Sequence, residues 1–351
     1  MNAHNCLLIR SGGPPGIFGV LPLTDGSTAV SLVASHYLLD GIGLAVALVD
    51  ALSGNTRDLG YLPPRSRTRL RAVVEDARQT ARDVPGVARA LAAAPKRFSF
   101  RRPGTARSPV SRPVAVRAGG DEPVAVPGIT ISIDVDVFDA RAESLGGTGN
   151  TLIAGLAAKL GERMGHRHDD DGTVTVQLVM SDRTAGDTRA VAVSLARIHV
   201  DPTLVTADLR DARAAVKQAL KTWRETPHVS SHLESLTPFV PKRIWKWAVD
   251  RSFADPDRPV VCSNLGDVGA VVNRLDGTDA EFSYARGTRQ HVTRQRLERI
   301  GGQMHLLCFR IPGRIVIHVL AYQPGAENTK PALRELAARV LAEFGLTGQI
   351  D

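Results

Sequence analysis

The residues best suited to chemistry lie in one short run, Ser35-His36-Tyr37-Leu38-Leu39-Asp40-Gly41. A neutral imidazole can take a proton from a hydroxyl, amine or thiol while that atom attacks a thioester carbonyl, and imidazole titrates at about pH 6.5, a range that suits the task. Asp40 stands where a helical pattern begins, and there a carboxylate can fix the bend through backbone amides or a cationic partner. Arg183, at the end of an apolar run, is the candidate cation, the plainer reading being an exposed arginine that ends a strand, and Gly41 relieves the tight entry to the helix. The plainer alternative for His36 is a loop histidine with a structural role.

Other reactive residue types are less well placed. Asn264, in Cys262-Ser263-Asn264-Leu265-Gly266, offers an amide that could stabilise a developing oxyanion, with Ser263 beside it as a substrate contact; the plainer reading is a turn after a strand. His166, His168, Asp169, Asp170 and Asp171 invite a metal, but they fall in a polar loop between Gly165 and Gly172 with no second ligand group at a suitable spacing, so no metal site is expected. Cys6, Cys262 and Cys308 are far apart and odd in number, which reads as reduced packing residues. The strand context of Cys262 predicts burial, which argues against a nucleophile. His305 and His318 read as strand residues of the terminal hairpin.

The elements that must position His36 follow from patterning. Residues 20–35 read as a hairpin turning at Asp25-Gly26, whose second strand (28–35) has so little polarity that a central, buried position is expected. Apolar spacing predicts a helix over 40–52, which puts His36 in a bend between a strand and a helix. Further on, helices are predicted over 66–94 (interrupted at Pro85-Gly86), 150–164, 206–221, near 243–249 and over 330–344. Strands are predicted from 129, over 173–180, 190–200, 260–264 and 269–274, and as a hairpin of 303–311 with 314–322. Thr148 or Asn150 could cap the 150–164 helix.

Composition bounds the class. A chain of 351 residues, 43% hydrophobic, exceeds the roughly 250–300 residues at which single cores stop growing, so two lobes are expected. No apolar run approaches the roughly 20 residues of a spanning helix, and no leader pattern opens the chain. The cytoplasm is the expected compartment, with peripheral membrane contact left open. The net charge of +8 is concentrated in residues 57–117, which hold 15 Arg or Lys against 4 Asp or Glu. Such a segment could steer a phosphate-bearing donor or simply be a solvated linker. Its arginines lack interleaved aromatics, and no helix-turn-helix or zinc pattern occurs, so nucleic acid is not the expected partner.

The run from Val30 to Leu44 resembles the His-His-x-x-x-Asp-Gly signature of the superfamily of chloramphenicol acetyltransferase, nonribosomal condensation domains, polyketide-associated acyltransferases and bacterial wax ester synthases, with Ser35 in place of the first His. Thr148-Gly-Asn-Thr151 is similar to the Thr-x-Asn-Asp helix start of the wax-synthase branch, with Thr151 for Asp. Val179-Met-Ser-Asp-Arg183 with Gly186-Asp187 resembles a further segment of that branch, and Cys262-Ser-Asn264-Leu-Gly266 resembles the Ser-Asn-x-x-Gly segment on the crossover between lobes, whereas the Asp-Phe-Gly-Trp-Gly motif of the plant branch is absent. The resemblance implies an α/β fold of two acetyltransferase-like lobes, with the active site in a tunnel between them. The first lobe (1–94) is expected to be shortened, because family members carry more chain before the signature; a basic linker (95–127) and a second lobe (128–351) follow. It also implies His36 as the catalytic base, Asp40 as structural, and transfer of an acyl group from coenzyme A or an acyl carrier protein to a small-molecule or lipid hydroxyl or amine, without metal or redox cofactor. The alternative is a non-catalytic condensation-like binding module or an inactive fragment.

Overall fold

The computed structural model describes residues 7–9, 16–56, 63, 66–97, 123–184, 186–225, 240–241, 243, 257–268, 270–288 and 292–351. Cys6, Arg65, most of the basic linker and most of the expected helix near 243–249 lie outside the described residues. By backbone contact the chain forms two compact units, residues 1–59 with 181–193, and residues 60–180 with 194–351.

The first unit holds an antiparallel sheet of β1 (Leu7–Ile9), β2 (Gly16–Pro22) and β3 (Thr28–Ala34), in that order, followed by α1 (Gly41–Leu52). The β2–β3 turn is built as its residues dictate: Asp25 Oδ1 accepts from Ser27 N at 2.9 Å, and Gly26 takes φ 85°. Contrary to the expectation of a buried central strand, β3 lies at the sheet edge among the described residues, with Val33 56% exposed. A run of little polarity shows that a strand can tolerate burial on both faces. It does not say what pairs with the outer edge.

The second unit is a mixed α/β layer structure. Its elements are α2 (Arg69–Arg97), β4 (Gly128–Asp134), α3 (Val135–Ser144), α4 (Gly149–Arg163), β5 (Val174–Ser181), β6 (Val193–Val200), α5 (Arg210–Glu225), β7 (Val260–Asp267), α6 (Arg294–Arg299), β8 (Gln303–Ile311), β9 (Arg314–Tyr322), α7 (Lys330–Glu343) and β10 (Gln349–Ile350). The seven-stranded sheet runs β10-β4-β9-β8-β7-β5-β6. β7 is parallel to β5 and β8, and the pairs at the β10 end are antiparallel.

Period-two alternation places Ile129, Ile131 and Ile133 of β4 and Ile315, Ile317 and Val319 of β9 in the main core, together with α4 and α7. Helix α4 is buried along its length because its small residues permit close approach: a Cβ on Gly161 would meet Val260 Cγ2 at 2.7 Å. The one lysine buried on it, Lys159, is met by Glu162 at 2.9 Å and Glu343 at 3.5 Å and donates to the Pro202 carbonyl at 3.2 Å.

Three local expectations are corrected. Helix α2 continues through Pro85-Gly86, because Ala- and Arg-rich flanks sustain it against the roughly 3 kcal/mol that an interior proline costs. Residues 270–273 form a turn of 3₁₀ helix where a strand was expected, and Ala280 N closes the following loop on Asn273 O at 2.8 Å. Helix α3, not foreseen, begins where β4 ends because Asp134 Oδ1 accepts from Asp136 N at 3.0 Å and Val137 N at 3.1 Å, capping the helix.

Candidate active site

Asp40 is the N-cap of α1, with Oδ1 accepting from Gly43 N at 2.7 Å. Its other oxygen accepts from Arg183 Nη2 at 2.6 Å and from Ala192 N at 2.8 Å, and its own backbone N–H donates to Ala190 O at 3.0 Å. Both side chains of the pair are buried, with 3% of Asp40 and 7% of Arg183 exposed. Burial pushes the Asp40 carboxyl up, but the amides of Gly43 and Ala192 and the Arg183 guanidinium together outweigh it and hold the group below its ordinary value of 3.8. Arg183 is held in turn by the carbonyls of Asp187 (3.1 Å) and Arg189 (2.9 Å). Asp187 grips Arg189 through both oxygens, which draws its carboxyl down to about 2.

This clamp fixes the bend that presents His36. The backbone turns as Leu38 N donates to Ser35 O at 2.9 Å, and His36 is exposed, with neither ring nitrogen hydrogen-bonded among the described residues. The glycine the clamp depends on was missed at sequence level. Gly41 only opens the helix, whereas a Cβ on Gly43 would stand 3.0 Å from Arg183 Nη2 and 3.2 Å from Asp40 Oδ1. The spacing Asp-Gly-x-Gly was the available signal.

Asn264 and Ser263 belong to the other unit, near the end of β7. Asn264 ties that strand to the start of α4 by donating from Nδ2 to Asn150 Oδ1 at 2.8 Å, while its Oδ1 accepts from Gly266 N at 3.0 Å. Thr148 caps α4 in a reciprocal box with Thr151, whose Oγ1 accepts from Thr148 N at 2.6 Å. Cys262 is buried beside Cys308, whose thiol is pushed well up by their hydrogen bond and by burial. His166 is separated from its loop neighbours: it is buried, with Nδ1 2.6 Å from Arg258 O, and desolvation lowers its pKa. Arg67 and Arg71 of the basic segment both pair with Glu75, at 3.0 and 2.9 Å.

Neither a family model nor a curated protein matches the sequence. The chain is similar to solved condensation domains and acyl transferases. Over 95% of its length it aligns with the first condensation domain of the CDA synthetase, at 12% identity and a TM-score of 0.46, covering 69% of that chain. Vinorine synthase aligns with 94% of the chain at 15% identity and a TM-score of 0.48, with 66% of its own length covered. For PapA2 acyl transferase the figures are 94%, 16% and 0.42, again with 66% of that chain covered. This chain thus spans about two thirds of the length of these proteins. Among the described residues no helix is long and apolar enough to cross a membrane.

Proposed function

We propose that the protein is an acyltransferase, moving an acyl group from a thioester of coenzyme A or a carrier protein to a hydroxyl or amine acceptor, with His36 as general base. The observation that supports this is the division of roles within His36-x-x-x-Asp40. The carboxylate is turned inward onto Arg183 and two amides, and the imidazole four residues earlier is left exposed. Both oxygens of Asp40 are engaged in holding the bend and neither accepts from His36 among the described residues, so its role is positional.

In the reaction the acceptor O–H or N–H gives its proton to a ring nitrogen of His36 as the acceptor atom bonds to the thioester carbonyl carbon. The tetrahedral intermediate then collapses, the C–S bond breaks, and the thiolate recovers the proton from the imidazolium. Atoms and charges balance without another reactant. The test is release of free thiol from a panel of acyl-coenzyme A donors with hydroxyl and amine acceptors, comparing the parent with His36→Ala. Acceptor-dependent release that is lost in the variant supports the proposal. Donor binding without turnover in the parent replaces it with the binding-module reading.

A further inference from the structure

Helix α2 is the longest of the described elements, and none of its residues from 69 to 86 is buried. Its 29 residues reach about 43 Å at the usual helical rise. Apolar residues recur at 70, 73, 74, 77, 81, 84 and 88, the three-and-four spacing that lines one face of a helix. The larger of them stand in water, with Leu70 75%, Val73 64% and Val84 54% exposed. Arg71, Arg78 and Arg82, spaced by seven and then four residues, form a second row along one flank of that stripe. We propose that α2 seats the chain on an anionic phospholipid surface, with Leu70, Val73, Val74 and Val84 at the acyl boundary and the arginine row against lipid phosphate.

The charge on the helix calls for an anion. Glu75 answers Arg67 and Arg71, at 3.0 and 2.9 Å, but no side-chain partner meets Arg78 or Arg82 among the described residues. Like charges four residues apart on a helix repel, so this pair weakens α2 in water and is relieved by negative charge. The excess continues beyond it: residues 89–117 hold eight Arg or Lys and no Asp or Glu. Arginine suits the task, because its stem covers apolar surface while its guanidinium meets a phosphate with two parallel hydrogen bonds. Charges along the helix bar it from crossing the bilayer, so it lies on the surface.

Other occupants of the stripe fit less well. Helices that dock into protein grooves carry bulky anchors, whereas this stripe holds one leucine, three valines and three alanines, with no aromatic residue. A second copy meets its own charge. Two parallel α2 helices would bring both basic runs to one end, and two antiparallel ones would set their arginine rows against each other. A fluid acyl boundary needs no shaped anchors, and anionic headgroups supply the missing counter-charge.

The test is co-sedimentation of the full chain with vesicles of phosphatidylcholine alone and of phosphatidylcholine with phosphatidylserine at about 2:1, with sedimentation equilibrium of the same protein without lipid. Saturable binding to the mixed vesicles is expected, about tenfold or more stronger than to the neutral ones and weaker in high salt. An arginine at an anionic surface is worth about fivefold in partition, so Arg78→Gln with Arg82→Gln should weaken binding about 25-fold. Val73→Ser with Val84→Ser should weaken it about tenfold or more, because both valines leave water on seating. All four positions are exposed, so the melting temperature should stay unchanged. Vesicle binding is read without turnover, so it stands or falls separately from acyl transfer. No binding, equal binding to both kinds of vesicle, or binding that survives either pair of substitutions would overturn the proposal. Self-association without vesicle binding, lost in Val73→Ser with Val84→Ser, would overturn it in favour of a second copy.

Discussion

Replacing Asp40 with alanine removes the carboxylate that three donors share and leaves Arg183, 7% exposed, without its counter-charge. Breaking a buried ion pair from one side costs about 3–5 kcal/mol. Arg183 keeps the carbonyls of Asp187 and Arg189, so the low end, about 3 kcal/mol, is expected. At 1.4 kcal/mol per decade this is about a hundredfold rise in the local opening equilibrium. Amide hydrogen exchange reads it directly: peptides from α1 and from residues 182–192 should exchange about a hundredfold faster, and those from β8 and β9 should not change. Asp40→Asn keeps the shape but turns an NH₂ group toward Arg183 or toward one of the two amides, so it should recover little. Protection within twofold of the parent in Asp40→Ala would refute the clamp. The pH dependence carries a sign as well. A folded-state value below 3.8 means the Asp40 contribution is present above that pH and is lost as pH falls through the lower folded value.

His36→Ala should cut turnover about a hundredfold or more, with the melting temperature unchanged because the side chain is exposed; full activity in the folded variant would remove its assigned role. Gly43→Ala gains up to about 1 kcal/mol of helix propensity but crowds Arg183 at 3.0 Å, so a net loss of about 1 kcal/mol is expected by urea denaturation, and a gain would contradict the close approach. Burial lowers the pKa of His166 and of His318 from 6.5, so their stabilising contribution is present above that value and fades as pH drops below it. The urea midpoint should fall between pH about 7.5 and about 5.5, and His166→Gln should flatten that fall. Reversing the charges of Arg67, Arg69 and Arg71 should raise the apparent donor constant and flatten its salt dependence, and an unchanged salt profile would make the segment a solvated linker.

Where side-chain period and turn chemistry agree, the sequence was sufficient. The 303–311 and 314–322 hairpin, α4 with its Thr148 cap and α1 after Asp40 all stand within a residue or two of expectation. Arg183, named from its place at the end of an apolar run, is the cation that meets Asp40. What failed depends on neighbours distant in the chain. Nothing within β3 says whether a strand lies beyond it, because strand adjacency is a property of the sheet order. Asp134 was legible as a strand residue and as a cap, and only the second use explains α3. Gly43 was legible as a helix residue, while its function is set by a guanidinium donated from residue 183.

The Asp40 clamp also has a consequence for the order of events during synthesis. The carboxylate is 143 residues from Arg183 and 152 from Ala192. While the chain is being made, the bend bearing His36 leaves the ribosome long before the groups that fix it exist, so Asp40 waits in water and the bend stays unset. At roughly 5–20 residues per second the wait lasts on the order of ten seconds. Only when residues 183–192 arrive can the loop close, a step of high sequence separation and so among the slower ones. The imidazole is therefore held in its final geometry only once residues 183–192 have emerged, when β6 to β10 are still to be made.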